Sequence, residues 1–369
     1  MTDQDASDDQ VGSQDEFEIS LAEGIEDESL LEPTDIKKFS ITSYGADYTV
    51  DMLVKRMRAG SFTIPDFQRR FVWSQRHASK FIESLLMGLP VPGIFLYKET
   101  ETNKHLVIDG QQRLRTLQAF YDGFFGERKF RLGGIREPWN GKTYSELDPA
   151  DQLKIDDSIV HATIFQQDHP ADVLDSIYFV FERINSGGIR LSPQEIRNCI
   201  SAGPFITLVK NLNLNEDWRR VFGGEPNKRS KDEELIIRFF AMYRSGDQYS
   251  RPMAKFLNDF SSKMNKQPKE ELQSLEKVFS TTIALVDKAL DGRAFRPSRP
   301  LNAAVFDGVM TGLAQRIATG NEPPPEAVAM AYDALLASAE FKKAWERATA
   351  DEDNVKTRLR LGREAFAGI

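Results

Sequence analysis

Hydrophobic positions change period repeatedly in the first half of the chain and keep one period in the second. "DYTVDMLVKRMRAGSFTIPDFQRRFVW" predicts a helix from about Val50 to Ala59, a stop at Gly60 and a short strand into Ile64-Pro65. In "SQRHASKFIESLLMGLPVPGIFLYKE", Ser74 caps a helix whose Phe81, Ile82, Leu85 and Leu86 recur at helical spacing. Gly88 and two prolines end it. "GIFLYKE" and "HLVID" read as buried strands, and the polar stretch Glu99 to Lys104 between them fits a hairpin turn. At Asp109 the pattern switches to a helical period, with Leu114, Leu117, Tyr121 and Phe124 on one face and Gly123 or Gly126 as the stop. "ERKFRLGGIREPW" reads as a strand and turns. Asp172 to Ile184 is an apolar helix stopped by Asn185-Ser186-Gly187-Gly188. Ser192-Pro193-Gln194-Glu195 then opens a helix with a Ser cap, Pro at the first position and Glu placed to close a capping box.

From about Pro204 onward strand signals are few. "DEELIIRFFAMY", "ELQSLEKVFSTTIALVDKAL", "AAVFDGVMTGLAQRIA" and "EAVAMAYDALLASAEFKKAWERA" all carry helical spacing, separated by loops rich in Pro and Gly. No repeat of fixed period is present. The predicted class is α+β: a mixed α/β domain over residues 39–203, then an all-helical domain over residues 204–369.

Bulk composition changes this picture in two places. The 369 residues suit two domains, with 40% hydrophobic and 28% charged residues. No run approaches the length of a membrane span, and no secretory leader is evident. The single cysteine, Cys199, excludes a disulfide within the chain, so a reducing cytoplasm is the expected location. The net charge of −8 conceals an asymmetry: residues 1–36 hold thirteen acidic and no basic residues, leaving 48 basic against 43 acidic in the rest. Residues 1–38 are therefore read as an acidic disordered leader, solvated on the simpler view. On the sharper view the leader competes with nucleic acid for a basic groove.

Candidate chemistry concentrates at the corner Asp109-Gly110-Gln111-Gln112-Arg113. A strand that turns through glycine into a helix aims backbone N–H groups, and the positive end of the helix dipole, at one place. Gly110 would let a ligand approach the backbone, and Arg113 can grip phosphate oxygens. Asp109 has the wrong sign for phosphate; it fits a Mg²⁺ ligand, a base for a water, or an N-cap. The corner lacks the glycine–lysine–hydroxyl ending of a P-loop. On spacing alone, a purely structural corner and an anion site stand level. Two further stretches are candidates: "IPDFQRRF", with Gln68, Arg69 and Arg70, and "FVFERINSGG", with Glu182, Arg183 and Asn185. A solvated arginine pair and an arginine that complements a helix C-terminus are the simpler readings of these.

Taken together, "IPDFQRRFVW", "VIDGQQRLRTL" and "FERINSGGIRLSPQEIRN" resemble the N-terminal domain of GmrSD-type modification-dependent restriction enzymes, from Phe39 to about Ile200. That family is similar in fold to the ParB/sulfiredoxin superfamily. The resemblance implies a nucleoside triphosphate with Mg²⁺, often hydrolysed, in bacterial defence against phage or modified foreign DNA. It carries the central motif to Asp109, Gly110, Gln111, Gln112 and Arg113, and accessory roles to Gln68, Arg69, Arg183 and Asn185. Asp109 is assigned to metal or water, Arg113 to phosphate, and Gln111 and Gln112 to a water or the nucleotide. The expected partners are DNA and a separately encoded nuclease or effector; a homo-oligomer is left open, since the sequence does not reveal the oligomeric state.

Other chemistries recede. Sulfiredoxin chemistry needs a cysteine at the corner, and Cys199 is far along the chain. The four histidines are His77, His105, His161 and His169, so the helical half lacks those that an HNH nuclease requires. A nuclease built from Asp109, Glu127 and Lys129 is disfavoured by the helix between them. No two histidines share metal-ligand spacing. The basic stretches "NKRSK" and "KTRLRLGR" read as solvated faces, or with Arg219 and Arg220 as a DNA surface. The leading expectation is an NTP-hydrolysing sensor or regulator. The alternative is a non-hydrolysing DNA-binding, antitoxin or scaffold protein on the same fold.

Overall fold

The computed structural model describes residues 22–23, 40–64, 73–99, 103–169, 180, 184, 192–227, 229–298, 300–320 and 322–369. The chain divides into two compact units, one spanning Ile36–Arg190 and the other Leu191–Ile369 with the first 35 residues.

The first unit is built on a five-stranded mixed sheet. Its strands are β1 (Ser40–Thr49), β2 (Phe62–Thr63), β3 (Ile94–Lys98), β4 (His105–Asp109) and β5 (Ile159–His169), in the order β1-β5-β3-β4-β2. β5 runs antiparallel to β1 and parallel to β3; β4 runs antiparallel to β3 and parallel to β2. The predicted hairpin between β3 and β4 is present, closed by Glu99 N–H donating to Lys104 O at 2.9 Å.

Local signals explain the helices. Thr49 Oγ1 accepts from Met52 N–H and starts α1 (Val50–Arg58). Ser74 Oγ accepts from His77 N–H and starts α2 (Gln75–Leu86), as its sequence predicts. α3 (Gln111–Asp122) ends at Gly123, whose φ of 80° only glycine adopts freely. Phe124, expected on the buried face of α3, instead lies past that stop in a small hairpin and is 56% exposed. α4 (Pro149–Asp156), with Pro at its first turn, was not anticipated. Nor were β1 and β5, the two longest strands.

The helices bury one face of the sheet. Ile94, Leu96, Val107, Val160, Ala162 and Ile164 share a core with residues of all four helices. Tyr97, Leu106, Ile108 and Phe165 alternate to the other face and are buried there as well. Burial on both faces is why "GIFLYKE" and "HLVID" read as continuous apolar runs.

The second unit holds ten α-helices among the described residues. They are α5 (Pro193–Ile200), α6 (Pro204–Leu212), α7 (Glu216–Phe222), α8 (Lys231–Ser245), α9 (Met253–Asn265), α10 (Lys269–Leu290), α11 (Ala303–Ala318), α12 (Pro325–Ala337), α13 (Ala339–Glu346) and α14 (Glu352–Ala367). The predicted capping box is formed: Ser192 Oγ accepts from Glu195 N–H at 3.1 Å, and Ser192 N–H donates to Glu195 Oε2 at 2.6 Å. The single helix expected over "EAVAMAYDALLASAEFKKAWERA" is two, because Ser338 turns extended and caps α13 through Phe341 N–H.

α8 and α11 run through the centre, with every residue of Leu235–Met242 and of Ala303–Ala314 buried. α14 crosses α11 with no side chain between the backbones. A Cβ on Gly362 would lie 2.1 Å from Gly308 O, and one on Gly312 would lie 2.3 Å from Gly362 O. Charge is buried beside this crossing. Asp307 of α11 accepts from Arg238 Nε of α8 at 2.8 Å and from Arg358 Nη2 of α14 at 2.7 Å, and all three side chains are within 3% of complete burial. Arg358, expected on a solvated basic face, is therefore part of the core. Its neighbours are paired as well: Arg360 with Glu340 and Glu364, and Arg363 with Asp247. Arg219 pairs with Asp232, and Arg220 with Asp217 and Asp287.

Candidate functional site at the end of the fourth strand

β4 sits inside the sheet, with β2 beside its first two residues and β3 along its length, so its last residue is placed by backbone pairing to β3. That residue is Asp109, opposite Phe95 of β3. Gly110 follows with φ +98° and caps α3 by its backbone alone. The glycine is required twice over. A Cβ there would fall 2.4 Å from Ile94 Cγ2 and 2.9 Å from Ile94 Cβ, so Ile94 fills the space that the sequence reading left for a ligand. Gly110→Ala is expected to cost about 1–3 kcal/mol in backbone strain, with an overpacking penalty against Ile94 on top. Urea denaturation against the parent protein measures it; an unchanged midpoint would contradict the account.

Asp109 does not cap the helix. Its Oδ2 accepts from Arg113 Nη2 at 2.7 Å, one helical turn on, and the same Nη2 donates to Gly93 O at 2.9 Å. The pair ties the end of β4, the start of α3 and the entry to β3 together. Arg113 is mostly enclosed, with 16% of its side chain exposed, whereas Asp109 is 44% exposed. Among the described residues Asp109 Oδ1 accepts no hydrogen bond, so the carboxylate is held by one oxygen and offers the other.

The two glutamines differ. Gln112 Oε1 accepts from Trp73 N–H at 3.3 Å. Gln111 Oε1 is buried without a hydrogen-bond partner, an acceptor still lacking its donor. Arg113 Nε is in the same condition.

Gln68, Arg69, Arg183 and Asn185 lie outside the described residues. The ends of the segment that carries Gln68 and Arg69 are described, and both approach the corner. β2 runs parallel to β4, with Thr63 beside Leu106, and so leads toward the Asp109 end of the sheet. The chain is described again at Trp73, beside Gln112. β5 runs opposite to β4 and ends at His169, at the other end of the sheet from Asp109. Gly93 and Ile94 were not singled out in the sequence. The signal available was a glycine just before a strand; its own missing Cβ would meet His161 O at 2.7 Å.

At the far end of β4, His105 is 7% exposed, packs edge-on against Phe62 and has Nδ1 buried without a partner. Burial lowers its pKa, and the nearby Arg56 and Lys98 cations lower it further. The folded imidazole thus holds a proton less tightly than the unfolded one. Its contribution to stability is complete above about pH 6.5 and is lost as pH falls through the lowered folded value. His105→Phe is expected to flatten the acid side of the stability profile, read as the change in urea midpoint between about pH 7.5 and about pH 5. An unchanged slope would exclude His105 as its source.

Among the described residues no group of three or more His, Cys, Asp or Glu is arranged to hold a metal ion. Asp109 is the carboxylate that the corner motif itself offers a divalent cation. Mg²⁺ suits such a site, since it is commonly held by one or two carboxylates together with substrate phosphates and waters. Among the described residues no helix is long and apolar enough to cross a membrane. None of the curated proteins compared with the chain matches it. The three motifs from Ile64 to Asn198, and the corner they surround, all fall inside residues 50–201, and those residues match the family described as the GmrSD restriction endonuclease, N-terminal domain.

Proposed function

We propose that this chain binds a nucleoside triphosphate with Mg²⁺ at the Asp109–Arg113 corner and hydrolyses it, as the sensing or regulatory component of a bacterial restriction or anti-phage system in the cytoplasm. DNA cleavage is supplied by a partner. One observation carries the reading: Asp109 is locked by Arg113 through one oxygen and leaves the other open, at the start of a helix that no side chain caps. An open carboxylate beside a helix N-terminus suits a magnesium-bound phosphate better than a bare anion, because the acid by itself repels phosphate.

In this reading Arg113 is a positioning residue that holds Asp109 at a fixed angle. The backbone N–H groups at the start of α3 face the phosphate oxygens. The unpartnered Gln111 Oε1 is the acceptor that orients a water or a ligand hydroxyl. Gln112 is held by Trp73. Gln68, Arg69, Arg183 and Asn185 are assigned accessory roles toward the nucleotide on the sequence resemblance alone. Mg²⁺, when bound, supplies charge neutralisation between phosphate oxygens. The five-stranded mixed sheet with its site at a strand–helix corner suits the ParB/sulfiredoxin-like assignment.

A non-hydrolysing DNA-binding role draws less support from the arginines proposed for it, since Arg219, Arg220, Arg360 and Arg363 are ion-paired and Arg358 is buried. Phosphate release from each of the four NTPs with Mg²⁺ tests the proposal, with Asp109→Ala as control. Release in the parent and not in the variant supports it. Equal rates in both would place hydrolysis elsewhere, and no binding of any NTP would remove it.

A further inference from the structure

β1 is an edge strand. Among the described residues nothing pairs with its outer side along all ten residues, Ser40–Thr49. Edges of this length are ordinarily guarded by lysine, proline or shortness. "SITSYGADYT" contains no lysine, arginine or proline, and its single charge is Asp47. Seven of the first eight residues and Thr49 are exposed, Ile41 and Tyr44 included.

The register identifies which backbone groups are open. Val50 N–H donates to Ser158 O at 2.9 Å, and the ladder continues from Thr49 opposite Ile159. In an antiparallel ladder the bonded residues alternate. The even-numbered residues Thr42, Tyr44, Ala46 and Tyr48 therefore turn their backbone toward β5. Ile41, Ser43, Gly45, Asp47 and Thr49 turn theirs outward. The opposite parity on β5 agrees, since His161 O faces Gly93 on the β3 side.

We propose that this outer edge pairs with the same edge of a second copy of the chain, antiparallel, about a two-fold axis through Gly45. Only odd-numbered residues can bond across the join, so the register must place odd against odd. The centred one sets Gly45 on Gly45, Ser43 on Asp47 and Ile41 on Thr49 of the second copy. It forms about ten backbone hydrogen bonds and joins two five-stranded sheets into one.

The sequence is self-complementary in this register. The residue on the axis has no side chain, so the strands meet without obstruction. Each Asp47 carboxylate faces a Ser43 hydroxyl, and the two Asp47 residues stand roughly 14 Å apart, four residues along a strand. No like charges are opposed. An acidic or basic partner strand would have no counter-charge along this edge beyond Asp47, which His161 Nδ1 already contacts at 2.8 Å.

The test is the dimer dissociation constant of the full chain by analytical ultracentrifugation, with Ser43→Asp and Ser43→Lys as a matched pair. A dimer in the micromolar range is expected. Ser43→Asp sets carboxylates opposite Asp47 at two symmetric positions and is expected to weaken it roughly tenfold, while Ser43→Lys keeps or tightens it. A wild-type chain monomeric throughout that range, or equal effects of the two substitutions, would overturn the proposal. Wild-type hydrogen exchange gives a reading that needs no variant. The amides of Ser43, Gly45 and Asp47 are expected to slow as concentration rises, and concentration-independent exchange at all three counts against the pairing.

Discussion

Asp307→Ala is expected to destabilise the second unit by about 3–5 kcal/mol, the cost of leaving buried charge without its partner. Asp307 is fully buried and is the carboxylate that both Arg238 and Arg358 contact. Removing it strands two guanidiniums in the apolar contact between α8, α11 and α14. Both guanidiniums lie away from water, with Arg238 3% and Arg358 0% exposed, and α11 and α14 meet backbone to backbone at Gly308, Gly312 and Gly362. Asp307→Asn keeps the shape, loses the charge and is expected to fall between the parent and alanine. Replacing Asp307, Arg238 and Arg358 together by apolar residues of similar size is expected to restore most of the loss, since burying an ion pair gains little over good packing. Chemical denaturation of the four proteins measures the series. A triple variant as unstable as Asp307→Ala would show that the cost comes from packing and not from charge.

Asp109→Ala is expected to reduce nucleotide hydrolysis by about 100-fold or more, which corresponds to the several kcal/mol that a correctly held metal contributes to phosphoryl transfer. Stability should change little. Asp109 is 44% exposed, and Arg113 keeps its bond to Gly93 O when the carboxylate is gone. The released guanidinium stands at the helix start and still attracts phosphate. Nucleotide binding without Mg²⁺ is therefore expected to be retained or tightened, while the Mg²⁺-dependent part of binding is lost. Isothermal titration with and without Mg²⁺, beside the hydrolysis assay, separates these effects. A variant that hydrolyses at the parent rate, or loses metal-free binding as fully as metal-dependent binding, would sink the assignment.

The corner was legible because its signals lie within a few residues of one another. A buried strand, a glycine and a new apolar period mark the place where a chain turns into a helix, and the structure has that turn at Gly110. The reason for the glycine was not legible. The sequence suggested room for a ligand, whereas the space belongs to Ile94, sixteen positions earlier and on the neighbouring strand. Arg113 shows the same limit. Its charge was evident, but its bonds to Asp109 and Gly93 depend on β3 and β4 lying side by side.

The strands divide in the same way. β3 and β4 announced themselves as apolar runs, being buried on both faces. β5 alternates at its start, with Val160, Ala162 and Ile164 buried and Ile159, His161 and Thr163 more exposed, but Phe165 and Gln167 are buried on the other face and break the period-two signal in "IVHATIFQQDH". β1 has almost no inward apolar face, since it lies at the edge, and its pairing with β5 spans more than a hundred residues.

Caps, stops and periods are settled by groups four residues apart or fewer. The sequence by itself therefore determined the Ser74 and Ser192 caps, a glycine stop for α3 at Gly123 or Gly126, the helical character of the chain after residue 204 and the position of the Asp109 corner. Which strand borders which, which edge stays open, which arginines are buried and which oxygen of Asp109 is left free were decided only by the tertiary structure. Those outcomes rest on contacts between residues remote in the chain, such as Asp307 with Arg238 and Arg358, whose burial and pairing no local pattern encodes.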